Sequence, residues 1–117
     1  MQNYKDLKVW EKAHQFTLMV YDTSKLFPKE EIYGLTNQLR RAASSIPANI
    51  AEGCGKSSNP DFAKCLNISL GSANEAEYFI LLAKDLSYMN VEKFDMLYKQ
   101  INVIKAMLIG LIAKVRP

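Results

Sequence analysis

Apolar residues recur along the chain at spacings of three and four, in four stretches separated by turn-forming residues. The first predicts a helix from Leu7 to Phe27, with Asp6 as its N-cap and Pro28 as its stop. Its apolar positions include Val9, Trp10, Ala13, Phe16, Leu18, Val20 and Tyr21, which spread beyond one narrow stripe. The second helix is predicted from Lys29 or Glu30, where acidic residues suit the helix dipole, to the glycine-rich end Gly53-Cys54-Gly55. Leu35, Leu39, Ala42, Ala43, Ile46 and Ile50 mark its buried face. Pro47 lies inside this run and predicts a kink rather than a stop, with Ser44, Ser45 and Asn49 placed to satisfy the freed backbone groups.

Asn59 as N-cap and Pro60 at the first helical position open the third helix, which should reach about Ser87. Its seam is Phe62, Leu66, Ser69, Ala73, Ala76, Ile80 and Ala83, small enough in the middle for a neighbouring helix to come close. Asn90 caps the fourth, which runs to Val115 over an unbroken seam of Phe94, Leu97, Ile101, Ile104, Leu108, Leu111 and Val115. Four such helices with short connections predict an all-α, antiparallel up-down four-helix bundle formed by residues 1–117 as one domain.

The fourth helix carries more apolar surface than one buried face requires. Met89, Met96, Val103, Met107 and Gly110 form a second stripe about a third of a turn from the seam, and Asp95, Lys99 and Asn102 mark a narrow solvated strip. A second apolar face points to self-association, so Met89, Met96, Val103 and Met107 are the candidate oligomer interface.

Composition changes this picture little. Hydrophobic residues make up 49% and charged residues 23%, a balance that supports a packed core and argues against disorder. No uninterrupted apolar run of about 18 residues occurs, and none follows the N-terminal residues, so the expectation is a cytoplasmic protein without a membrane partner. Cys54 and Cys65 have no metal-ligand spacing and are expected as free thiols. The net charge of +3 is spread evenly, which permits nucleic-acid binding without demanding it.

Catalytic patterns are sparse. Glu11-Lys12-Ala13-His14 matches one half of a di-iron bundle motif, but His14 is the only histidine, so one chain cannot complete such a site. Gly53-Cys54-Gly55-Lys56-Ser57 has Ile50 where a phosphate-binding loop needs glycine. Glu52, Glu75 and Glu77 read as structural carboxylates rather than acid–base pairs. The expectation is therefore no enzyme, no metal and no cofactor.

One sharper feature is Arg40-Arg41, since twelve of the fifteen basic residues are lysines. Arginine forms bidentate contacts with carboxylate or phosphate. Arg40 and Arg41, supported by Lys56, are the candidate nucleic-acid contacts. The competing reading pairs them with Glu75 or Glu52, which with Asn49 are the candidate structural polar residues. Adjacent helical residues diverge by about 100°, so each arginine can follow a different reading.

The stretch from Phe27-Pro28-Lys29-Glu30-Glu31-Ile32-Tyr33-Gly34-Leu35 through Gln38-Leu39-Arg40-Arg41-Ala42-Ala43 to Ile46-Pro47-Ala48-Asn49-Ile50-Ala51-Glu52-Gly53 resembles the hallmark of small bacterial four-helix-bundle proteins encoded in 23S ribosomal RNA intervening sequences. Asp6-Leu7-Lys8-Val9-Trp10, Gly71-Ser72 with Glu75, and Met107-Leu108 with Gly110-Leu111 fit as well. The resemblance implies a ring-like homopentamer. It extends to the accessory proteins of diversity-generating retroelements, which associate with nucleic acid and a reverse transcriptase. Leu70 departs from the pattern, which often has a basic residue before that Gly-Ser. Two functions follow as expectations: an oligomer that holds RNA or DNA through backbone phosphates, or a scaffold that docks a protein partner. Salt separates them, because phosphate contacts weaken steeply with salt and apolar interfaces do not.

Overall fold

All four apolar seams form helices in the computed structural model, which describes residues 2–116. These are α1 (Lys8–Ser24), α2 (Leu35–Cys54), α3 (Asn59–Asp85) and α4 (Val91–Val115), with short 3-10 turns at Tyr4–Asp6 and Lys29–Glu31. Each helix packs on two others, α1 and α3 both against α2 and α4, which closes the up-down ring of an antiparallel bundle. The bundle is 44 Å long and 24 by 20 Å across.

The seams meet along its axis. Val9, Ala13, Phe16 and Val20 of α1 and Leu39, Ala43, Ile46 and Ile50 of α2 share one core, which the α3 and α4 seams complete. Ile112 joins the buried set at the end of α4, where Leu111 and Val115 are only half-buried. By length and composition α4 could cross a membrane, yet its Phe94-to-Ile112 seam lies in the bundle core.

Helix ends depart from expectation where local chemistry competes. Leu7, not Asp6, caps α1, because Tyr4–Asp6 forms its own 3-10 turn capped by the Asn3 side chain. Ser58 rather than Asn59 caps α3, its hydroxyl accepting from the Asp61 amide, so Pro60 occupies the second helical position. Asn90 caps α4 as expected, accepting from the Lys93 amide at 2.8 Å. The α3 C-terminus closes with Ser87 in the left-handed region (φ 64°), Ser87 and Tyr88 donating back to Lys84 and Ala83.

At the end of α2 no glycine adopts a positive φ. Gly53 serves contact instead: a Cβ there would lie 2.8 Å from a Phe62 ring carbon and 2.9 Å from the Cys65 Cβ, so α2 and α3 approach closely only because that side chain is missing.

Pro47 sits inside α2, and the helix continues on both sides. Its missing N–H frees the Ala43 carbonyl. Ser44, Ser45 and Asn49 do not fill that role: Ser44 donates to the Arg41 carbonyl, Ser45 pairs with Ser72, and Asn49 donates to Ser45. The Ala43 carbonyl faces α1 inside the bundle, where the buried Thr17 hydroxyl reaches it at 3.0 Å and the Ala13 carbonyl at 2.9 Å. Sequence reasoning missed Thr17 because its partner lies 26 residues away.

Candidate nucleic-acid interface

The two adjacent arginines have different surroundings. Arg40 turns towards α1: its Nε donates to Ser24 Oγ at 2.8 Å, an Nη donates to the Tyr21 carbonyl at 3.4 Å, and the guanidinium lies 4.9 Å from the Tyr21 ring centroid. The last turn of α1 has no basic residue of its own, so Arg40 supplies the cation that the negative end of that helix favours. Among the described residues, no carboxylate lies within 4.0 Å of either arginine, and the expected pairs with Glu75 or Glu52 do not form within the chain. Glu52 instead lies 4.0 Å from Lys56 and 3.8 Å from Cys65 Sγ.

Arg41 points the other way, into an open groove of about 440 Å³ lined by Tyr33, Asn37, Gln38, Ala42 and Glu75. Arg41 and Glu75 thus face one space without neutralising each other. Tyr33 is 93% exposed, an unusual position for a tyrosine ring. Sequence reasoning placed Tyr33 within a helix and gave it no role. Its exposure follows from the turn before α2, which no periodicity encodes.

That turn is held firmly. Glu31 Oε1 accepts from the Leu35 amide at 3.1 Å, and Oε2 accepts from the Tyr88 hydroxyl at 2.8 Å. Gly34 makes the first bond feasible, since a Cβ there would lie 2.7 Å from Glu31 Oε1. The Leu35 amide and then the Tyr88 hydroxyl hold the Glu31 carboxyl below its ordinary value of 4.5. The Tyr88 phenol is raised above 10.0, chiefly by the same bond. A lowered folded value means the carboxylate contributes stability above pH 4.5 and loses it as pH falls through the folded value. Acidifying the wild-type protein should therefore lower its thermal midpoint in this window, and Glu31→Gln should flatten that pH dependence. Parallel acid slopes in the two proteins would remove the clamp from the explanation.

The other candidates lie elsewhere. Lys56 follows the far end of α2, about 20 Å of helix from Arg41, so it does not join the arginine groove. Asn49 caps Ser45 within α2. Glu77, half-buried, pairs with Lys105 of α4. His14 is exposed and stacks on Trp10 at 5.1 Å. Cys54 and Cys65 are buried free thiols, and burial pushes both above their ordinary range, away from thiolate chemistry. Among the described residues no cluster of three histidine, cysteine or acidic side chains forms.

The expected α4 stripe divides. Met89 lies in the turn before the Asn90 cap and is not on the helix; it and Met107 rest against the core, whereas Met96 and Val103 are 44% and 43% exposed. They line a 260 Å³ groove between α1 and α4 with Lys12, Gln15, Lys99 and Gln100.

A family profile described as 23S rRNA-intervening sequence protein matches residues 5–110. A solved structure from Bacteroides thetaiotaomicron, described as a protein of unknown function from the S23 ribosomal protein family, is similar with a TM-score of 0.80 and 29% identity. The match covers 89% of this chain and 97% of that one. No curated protein matches the chain.

Proposed function

We propose that this chain, which belongs to the 23S rRNA-intervening sequence protein family, is a non-catalytic homo-oligomer that holds structured RNA or other nucleic acid through backbone phosphates. The observation that carries this reading is the contrast between the arginines: Arg40 is spent on α1, while Arg41 stands free in an open polar groove. A guanidinium without a carboxylate partner is suited to bidentate phosphate contact. Assembly supports the reading further, because repeated copies place several such groups on one surface and their fields add.

The α4 face favours assembly. In its most apolar 18-residue window only 28% of positions are buried within the chain. Nothing in this reading asks for a cofactor, a metal or a membrane.

Arg41→Ala should weaken binding to a structured ribosomal RNA fragment and reduce the salt slope by about one unit for every phosphate that the assembly no longer neutralises. Arg40→Ala should act mainly on stability. Unchanged RNA affinity and slope in Arg41→Ala, with wild-type assembly, would favour the scaffold that docks a protein partner.

A further inference from the structure

The Arg41 groove is more specific than a phosphate cradle needs to be. A site for phosphate alone gains from positive charge and loses from a nearby carboxylate, yet Glu75 lines this groove together with Arg41. Exposed Tyr33 and the Asn37 and Gln38 amides line it too. The groove holds about 440 Å³, within the range of small-ligand sites. Beyond the cation that any phosphate needs, the aromatic face, the anion and the two amides are groups that a nucleotide uses and a bare phosphate does not.

We infer that this groove takes a single unpaired guanine nucleotide of a bound RNA strand, an inference that rests on the nucleic-acid reading above. Tyr33 offers a face for the base to stack on, as single-strand-binding proteins use tyrosine. Arg41 takes the phosphate. Glu75 selects the base: an ionised carboxylate only accepts hydrogen bonds, and guanine presents two adjacent donors, N1–H and N2–H, on its pairing edge. Adenine and cytosine set an acceptor beside their single amino group, and uracil flanks its N–H with two carbonyls, so each opposes the carboxylate. The Asn37 or Gln38 amide can donate to guanine O6. The Glu31 clamp on Leu35 and Tyr88 fixes the turn that carries Tyr33, so the stacking face is organised before RNA arrives.

The test uses single-stranded RNAs of about 12 nucleotides, uracil-rich with one central guanine or one central adenine, and a structured RNA control. Affinity is read by fluorescence anisotropy at fixed salt, and assembly mass is measured on the same samples. Wild type should bind the guanine strand about tenfold or more tighter than the adenine strand, the discrimination that a bidentate hydrogen-bonded pair supplies. Tyr33→Ala should remove that preference and weaken single-strand binding by a similar factor, while Tyr33→Phe keeps both. Glu75→Gln should erase the discrimination between guanine and adenine while Tyr33 still holds the strand. Tyr33 is almost wholly exposed, so its replacement leaves the fold intact. Intact, salt-sensitive binding of the structured control with no effect of Tyr33→Ala overturns the nucleotide site and leaves the phosphate reading standing. Absence of RNA binding in the wild type ends both. A fall in assembly mass with Tyr33→Ala would make the groove a seam between copies and overturn the inference too.

Discussion

Met96→Glu/Val103→Glu is expected to reduce the proposed homo-oligomer to monomers while leaving helix content unchanged. Met96 and Val103 are 44% and 43% exposed in the single chain, so in a monomer both new carboxylates reach water at little cost. Between two copies they would be buried among apolar groups, and an unpaired buried charge costs several kcal/mol. Lys12 and Lys99 lie beside them, but exposed ion pairs contribute only about 0–1 kcal/mol and offset little of this. The same stripe reaches exposed Gly110 one turn-pair further along α4, where an added Cβ would meet nothing within 4 Å. A glycine inside a helix costs about 0.5–1 kcal/mol relative to alanine, and a close neighbour from another copy would give that cost a purpose. Sedimentation and circular dichroism report the two quantities separately. A fully assembled double variant would show that this face is not the interface.

Thr17→Val should cost about 1–3 kcal/mol, the penalty for leaving a buried carbonyl without a donor. Its methyls fill the space of the hydroxyl, so a change in packing adds little. The Thr17 hydroxyl has one hydrogen for two carbonyls: that of Ala13 is already bonded within α1, whereas Pro47 has removed the usual partner of Ala43. The effect should therefore depend on the proline. Pro47→Ala restores an N–H that can reach Ala43, and Thr17→Val should then cost about 1 kcal/mol less. Denaturant unfolding of the four proteins, at one protein concentration so that the proposed self-association enters all four alike, measures the coupling. Equal costs in both backgrounds would show that Thr17 acts through Ala13 or through packing alone.

The seams were legible because period-3.6 burial is written in residue order, and Leu66, Ala73, Ile80, Leu97, Ile101 and Ile104 all lie fully buried as the spacing predicts. Ends were less legible. Lys29–Glu31 reads as a helix start, yet α2 begins at Leu35, because the Glu31 side chain takes the Leu35 amide and Gly34 (φ −111°, ψ −117°) turns the chain first. The arginine pair was visible as an anomaly, and the divergence of adjacent residues allowed two fates. Which arginine took which depended on α1 ending beside Arg40, a fact of tertiary packing. Tyr33 was invisible as a site residue for the same reason: its exposure comes from a turn, and its neighbours Arg41 and Glu75 lie 8 and 42 positions away in the chain.

Whether this protein holds nucleic acid by its phosphates is decided by titrating the wild-type protein with a structured ribosomal RNA fragment at about 50 and 200 mM salt. Four or more neutralised phosphates predict a fall in affinity of about 10²-fold or more between those conditions. No binding at the lower salt, or binding that barely changes with salt, would contradict the proposal.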